Sequence, residues 1–108
     1  YSNKKLASMD MEERYRLIIS TILNAIGCQV EVEHMLSTGR IDIVASTSRF
    51  IYVMELKLAN NGGINAAEKQ MIDNGYLKPF LADDRKVIGV AVELDDMGKG
   101  LIDWKEVK

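Results

Sequence analysis

The stretch GRIDIVASTSRFIYVMELKL, residues 39–58, decides the fold of this chain. It predicts two β-strands joined by a short polar turn, because β-branched and aromatic residues dominate on both sides of that turn. Side chains along a strand alternate between its two faces. Glu55 and Lys57 are therefore expected on the same face as Ile51 and Val53, in a strand that is otherwise apolar on both sides.

The first strand of this hairpin adds an aspartate to the same face. A turn that is symmetric about its centre pairs Ala45 with Phe50. Asp42 then lies opposite Val53 and one diagonal step from Glu55, at about 7–8 Å between Cα atoms. The hairpin is thus predicted to gather two carboxylates and an ammonium group on one side.

Length and composition predict one globular domain over residues 1–108, since 108 residues that are 47% hydrophobic suffice for a single core. The chain starts at Tyr1 rather than methionine, so we expect a fragment of a longer protein. The lone Cys28 permits no internal disulfide and fits a reducing, cytoplasmic setting. No apolar run is long enough for a transmembrane helix, so no membrane contact is expected.

The charge balance bears on possible partners. A net charge of −2 and a pI of about 5.4 differ from the strongly basic balance of many nucleic-acid-binding domains. Contact with DNA or RNA would therefore need a local basic patch, a metal ion or a neighbouring domain.

The remaining chain predicts an α/β fold in the order α-β-β-β-α-β. The crossover through the second helix should make the fourth strand parallel to one of the first three, in a mixed sheet flanked by helices. In order, we expect a lead-in at 1–9, a helix at 10–27, strands at 29–36, 40–45 and 50–58, a helix at 65–74, a helical turn within 76–81, a strand at 86–94 and an edge strand at 101–107. The first helix should pack a complete apolar stripe on the core: Tyr15, Ile18, Ile19, Ile22, Leu23 and Ile26.

The polar cluster on the hairpin suits a hard divalent cation. Mg²⁺ or Mn²⁺ prefers carboxylate and carbonyl oxygens, which Asp42, Glu55 and the carbonyl of Leu56 would supply. Such an ion lowers the pKa of water and offsets charge on a phosphoryl oxygen. Lys57 could orient the water or stabilise transition-state charge, and Gln70 on the next helix could reach the same cleft.

These residues together resemble the PD-(D/E)XK nuclease superfamily, through the GRID segment at 39–42, the Glu55-Leu56-Lys57 triplet, and Gln70 followed by Gly75-Tyr76. The resemblance extends over residues 10–104. It is strongest to a group often found as the carboxyl-terminal domain of AAA-ATPase-like bacterial proteins. Ile41 stands before Asp42 where the superfamily motif has proline, which removes no ligand.

The resemblance implies a restriction-endonuclease-like core and a metal-dependent nuclease acting on DNA. It implies that Asp42, Glu55 and Lys57 form the catalytic core. It also assigns the acid of the first helix to Glu13 and the glutamine of the second helix to Gln70. An AAA-type ATPase domain in the same chain and a homo-oligomer are further implied partners.

Simpler interpretations remain open for each of these residues. The acid pair and Lys57 would also form a cross-strand ion pair on a wet sheet face. Arg40, on the face of Asp42, would serve as its ion-pair partner or bind phosphate. Glu13 would also suit a solvated acid at the helix start, where it favours the helix dipole. An alternative function is a catalytically silent module that binds nucleic acid or assembles with the ATPase.

Overall fold

The structure, a computed structural model, describes residues 10–108, so the lead-in expected at residues 1–9 lies outside the described part. Within it the chain forms helices α1 and α2 and strands β1 to β5, in the predicted order. The bounds are α1 (Met11–Ala25), β1 (Gln29–Leu36), β2 (Gly39–Ser46), β3 (Phe50–Leu58), α2 (Gly63–Asp73), β4 (Lys86–Leu94) and β5 (Leu101–Val107), with 3₁₀ turns at Ala59–Asn61 and Lys78–Phe80.

The five strands form one mixed sheet with the order β1-β2-β3-β4-β5. The first three strands make an antiparallel meander, β4 runs parallel to β3, and β5 returns antiparallel at the edge. Helix α2 connects the two parallel strands, as a crossover must. The predicted α/β class is confirmed, and β3 becomes a central strand bounded on one side by β2 and on the other by β4.

Each face of the sheet carries its own apolar core. The core on the α2 side contains Ile41, Val44, Ile51, Val53, Ala67, Met71, Tyr76, Ala91 and Val107. The core on the α1 side contains Tyr15, Ile43, Ala45, Leu56, Val92 and Leu94. Ile51 and Val53 therefore face α2 while Leu56 faces α1, which is the alternation predicted for this strand.

Helix α1 uses only part of its apolar stripe, so the expectation of a complete buried stripe is wrong. Tyr15 is buried and Ile19 and Leu23 are half-buried against the sheet. The other three stripe residues are exposed: Ile18 at 51%, Ile22 at 56% and Ile26 at 71%. The physical reason is lateral position, because α1 packs mainly over β1, β2 and β3 and makes few contacts with β4 and β5.

An apolar groove of about 370 Å³ follows from that position. We call it the apolar groove; it runs between α1 and the last two strands. Residues from both sides line it, among them Ile18, Met54, Val92, Leu101 and Trp104. Trp104, the single tryptophan of the chain, is 60% exposed at its rim.

The start of α2 is fixed to β4 by one acidic side chain. Glu93 Oε1 accepts a hydrogen bond of 2.9 Å from the backbone nitrogen of Ile64. Gly63 lies against the same carboxylate with φ at +60°, and a Cβ at this position would collide with Glu93 Oε1. Only glycine combines that backbone conformation with so close an approach.

Among residues 10–108, no helix combines the length and the apolar character that crossing a membrane requires.

Candidate active site

The candidate site lies where the ladder between β2 and β3 stops. Pairing runs from Ser46–Ile51 to Ile43–Met54, and Asp42 is the next residue of β2. Ile41 and Ile43 belong to cores on opposite sides of the sheet, although they are only two positions apart. The regular alternation of β2 therefore breaks at Asp42.

The hairpin register differs from the predicted one by two residues. Ala45 pairs with Tyr52, not with Phe50, and one further step along this register sets Asp42 level with Glu55 instead of Val53. The turn is centred between Ser48 and Arg49, one residue later than predicted, and Thr47 closes it. Its backbone nitrogen donates to the Phe50 carbonyl at 2.9 Å and its hydroxyl accepts from Phe50 N at 3.0 Å. A shift of two preserves the face of every side chain within the regular ladder, residues 43–46 and 51–54.

Asp42 fills the gap in the ladder with its own side chain. Its Oδ2 accepts a hydrogen bond of 2.9 Å from the backbone nitrogen of Leu56. In a strand, the N–H and C=O of one residue point toward the same neighbouring strand. The carbonyl of Leu56 therefore also faces the gap that holds the Asp42 carboxylate.

Glu55 is buried beside Asp42 and incompletely paired. Its side chain is 3% exposed, and Oε1 has no hydrogen-bond partner among the described residues. Burial raises the pKa of the Glu55 carboxyl to about 9, and the nearby Asp42 charge adds to the rise. Two converging carboxylates with a buried, unpaired oxygen are a donor set that a divalent cation would satisfy.

Lys57 is the third predicted residue that the structure brings to this place. Its Nζ lies 3.9 Å from Glu55 Oε2, and its side chain is 21% exposed. The ammonium lowers the pKa of Glu55, but burial and the Asp42 charge outweigh it. Lys57 therefore forms only a long ion pair with Glu55 and is partly exposed at the edge of the cluster.

Arg16 of α1 also contacts Asp42, and the sequence analysis did not single it out. Its Nη1 lies 3.3 Å from Asp42 Oδ1, and both side chains are 13% exposed. Its Nη2 forms a shorter ion pair of 2.8 Å with Glu33 Oε1 on β1. Arg40, expected either to pair with Asp42 or to bind phosphate, lies 3.8 Å from the same Glu33 oxygen. A single arginine in a helical sequence has no pattern that indicates the contact between Arg16 and Asp42.

Glu12 of α1 is half-buried and close enough to the cluster to feel its charges. Burial raises its pKa, and it feels the charges of both Lys57 and Asp42. Glu13 is exposed, its backbone nitrogen donates to the capping Asp10 carboxylate at 2.8 Å, and its side chain lines a separate hollow next to Arg16. Adjacent helix positions differ by about 100° in direction, so the neighbour of the expected residue takes the inward place.

Gln70 reaches β2 indirectly. Its Nε2 donates to the hydroxyl of Tyr76 at 3.0 Å, and that hydroxyl donates to the Arg40 carbonyl at 3.2 Å. Tyr76 is fully buried, and a Cβ on Gly39 would lie 2.7 Å from its hydroxyl oxygen. Glycine at the start of β2 is thus required for the tyrosine to reach the strand that carries Asp42. Among residues 10–108, Gln70 forms no hydrogen bond with either acid of the pair.

A model of the PD-(D/E)XK nuclease superfamily matches residues 10–104. The chain belongs to that superfamily. The match starts at the residue that caps α1 and ends within β5, so it includes every residue of the candidate site. Nucleases of this superfamily are typically dependent on divalent metal ions. No curated protein matches the chain.

Proposed function

We propose that this PD-(D/E)XK domain is a divalent-metal-dependent nuclease that hydrolyses phosphodiester bonds of DNA. The observation that carries the proposal is the buried, unpaired Oε1 of Glu55 beside the Asp42 carboxylate. An unpaired buried acceptor is unfavourable unless a cation or proton satisfies it. Family membership supports the nuclease class, and the acid pair supports the metal.

The proposed metal ligands are Asp42, Glu55 and the carbonyl of Leu56, and the ion is Mg²⁺ or Mn²⁺. Across residues 10–108, no group of three or more histidine, cysteine or acidic side chains is arranged to hold a metal ion. Two carboxylates and a carbonyl nevertheless match the way Mg²⁺ is held, since it keeps several waters and often binds substrate phosphate. When bound, the ion would act as a Lewis acid toward the phosphoryl group.

The remaining residues of the cluster have separate proposed roles. Lys57 would stabilise negative charge that develops on the phosphate or orient the attacking water, since its ammonium lies at the edge of the acid pair. Glu12, which feels the charges of Lys57 and Asp42, would take the role proposed from the sequence for Glu13. Gln70 would support the site through Tyr76.

The second candidate function is a catalytically silent module that binds nucleic acid or assembles with an attached AAA-type ATPase domain, alone or as a homo-oligomer. The net charge of −2 favours it, because a domain without excess positive charge gains little affinity from DNA phosphates.

Cleavage of supercoiled, linear and branched DNA tests the first function. The domain is incubated with each substrate, with and without Mg²⁺ or Mn²⁺, beside Lys57→Ala and Lys69→Ala variants. Lys69 is a matched control because it is exposed on α2 and pairs with Asp73. We expect metal-dependent cleavage that Lys57→Ala reduces by about a hundredfold or more and that Lys69→Ala leaves unchanged.

The outcomes separate the two candidate functions. Metal binding without cleavage of any substrate would favour the silent module. Cleavage that survives both Lys57→Ala and Glu55→Gln would contradict the assignment of the site.

A further inference from the structure

The backbone beside the acid pair has an unusual conformation at Glu33. This residue has φ at +54°, and it is the one non-glycine residue with positive φ among residues 10–108. The ladder between β1 and β2 pairs Val32 with Ile43 and His34 with Ile41, and it omits the Glu33–Asp42 pair between them. A left-handed conformation is unfavourable for glutamate, so local contacts must compensate for it.

The ion pairs that compensate for this strain connect Glu33 to Asp42 through Arg16. Arg16 Nη2 lies 2.8 Å from Glu33 Oε1, and Arg16 Nη1 lies 3.3 Å from Asp42 Oδ1. The shorter, stronger ion pair of Arg16 is thus with Glu33 and the longer one is with Asp42. Arg40 approaches Glu33 only at 3.8 Å and is largely exposed, so it competes weakly.

We infer that Glu33 is a positioning residue that anchors Arg16 and so keeps the guanidinium from closing on Asp42. An arginine prefers a bidentate pair with a carboxylate. Without Glu33, Arg16 would turn both nitrogens to Asp42 and occupy the oxygens that the proposed cation needs. This inference rests on the proposed metal site. It assigns Glu33 a role in metal affinity and not in folding.

Paired variants of Glu33 and Arg16 test this role. Glu33→Gln should weaken Mn²⁺ binding by about tenfold, the usual scale for losing a partner of a metal ligand. Adding Arg16→Gln to that variant should restore affinity to within about threefold of the original, because the competing guanidinium is gone. Glu31→Gln is the matched control, since Glu31 lies on the same strand and contacts His34 instead.

A glycine variant separates positioning from stability. Glu33→Gly removes the carboxylate and also relieves the left-handed strain, since glycine adopts this conformation readily. We expect unchanged or higher thermal stability together with weakened Mn²⁺ binding. A purely structural role would instead lower stability and leave the affinity of the folded protein unchanged.

Isothermal titration calorimetry with Mn²⁺ on the whole 108-residue chain, with circular dichroism to verify folding, measures each variant. Normal binding by the original protein and by both Glu33 variants would overturn the inference while leaving the metal site intact. Weak binding by Glu33→Gln that Arg16→Gln does not restore would overturn it also. No Mn²⁺ binding by the original protein would overturn both the inference and the metal-dependent function.

Discussion

Glu55 controls how the metal-free domain responds to pH. Burial, reinforced by the Asp42 charge, raises its pKa from 4.5 to about 9. Between these values the folded state binds one proton more than the unfolded state. Folding stability therefore falls as pH rises, by at most about 1.4 kcal/mol per pH unit.

We expect the melting temperature in EDTA to fall as the pH is raised from about 6 to 8.5, by a few degrees per unit. Glu55→Gln should flatten this slope, because the amide stays neutral throughout the range. Thermal melts monitored by circular dichroism measure it, with Glu106→Gln as the control on an exposed acid of β5. Equal slopes for the original protein and Glu55→Gln would show that Glu55 does not carry the proton.

At the scale of residues, the sequence predicts which side chains form the candidate site better than it predicts the contacts between them. The two-residue period of a strand placed Glu55 and Lys57 on one face, and the two-residue error in register did not change that face. The choice between Glu12 and Glu13 depends on how α1 is rotated over the sheet, which sequence periodicity leaves open. The Arg16 contact with Asp42 and the conformation of Glu33 depend on packing between distant segments, so no local pattern indicates them.

At the scale of elements, the start of α2 and the strand β4 are coupled through one carboxylate. Gly63→Ala should displace Glu93 and break its hydrogen bond to Ile64, in addition to straining the backbone. Left-handed strain and a lost cap each destabilise by about 1 kcal/mol, so the variant should lose about 2 kcal/mol.

A double-mutant cycle isolates the part due to the carboxylate. In a Glu93→Ala background, Gly63→Ala should cost only the backbone strain, about 1 kcal/mol. Gly27→Ala is a control for strain alone, because Gly27 has φ at +105° and no atom within 4 Å of an added Cβ. Urea denaturation gives the free energies of unfolding. Additive effects of the Gly63 and Glu93 changes would contradict the coupling.

Element bounds follow closely from sequence for four of the five strands, β1, β3, β4 and β5. β3 and β4 have their predicted limits because both are long apolar runs that end in polar turns. β2 and α2 each begin earlier than predicted. β2 begins at Gly39, where the absence of a side chain leaves space for the Tyr76 hydroxyl. α2 begins at Gly63, because Glu93 of β4 caps that helix.

At the scale of the whole molecule, apolar side chains divide into two classes with different energetic weight. The apolar groove exposes Ile18, Leu101 and Trp104, whereas Met71 is 1% exposed between α2 and the sheet. Burial of apolar surface is the main stabilising term, so exposed members of the groove contribute little to it. The stripe on α1 predicted a buried face, but its outer half is exposed beside the groove because α1 packs mainly over β1, β2 and β3.

Polar substitutions in the groove should therefore be nearly neutral in the isolated domain. We expect Leu101→Ser and Ile18→Ser to change the free energy of unfolding by less than about 1 kcal/mol, and Met71→Ala to lower it by about 2–5 kcal/mol. Chemical denaturation of the three variants checks this ranking. A loss above the Met71→Ala value at either groove position would mean that this surface is covered in solution.

The turn that closes the hairpin also bears on which changes in sequence this domain can accept. Residues 47–49 lie at its tip, and four ladder pairs separate them from the two acids. Extra residues inserted at the tip lengthen a loop, at about 0.6 kcal/mol for each doubling, and leave the relative position of Asp42 and Glu55 unchanged. Deleting one residue within either strand turns one of the carboxylates to the opposite side. The tip can therefore diversify among relatives, whereas the strand lengths between tip and acids cannot change by an odd number.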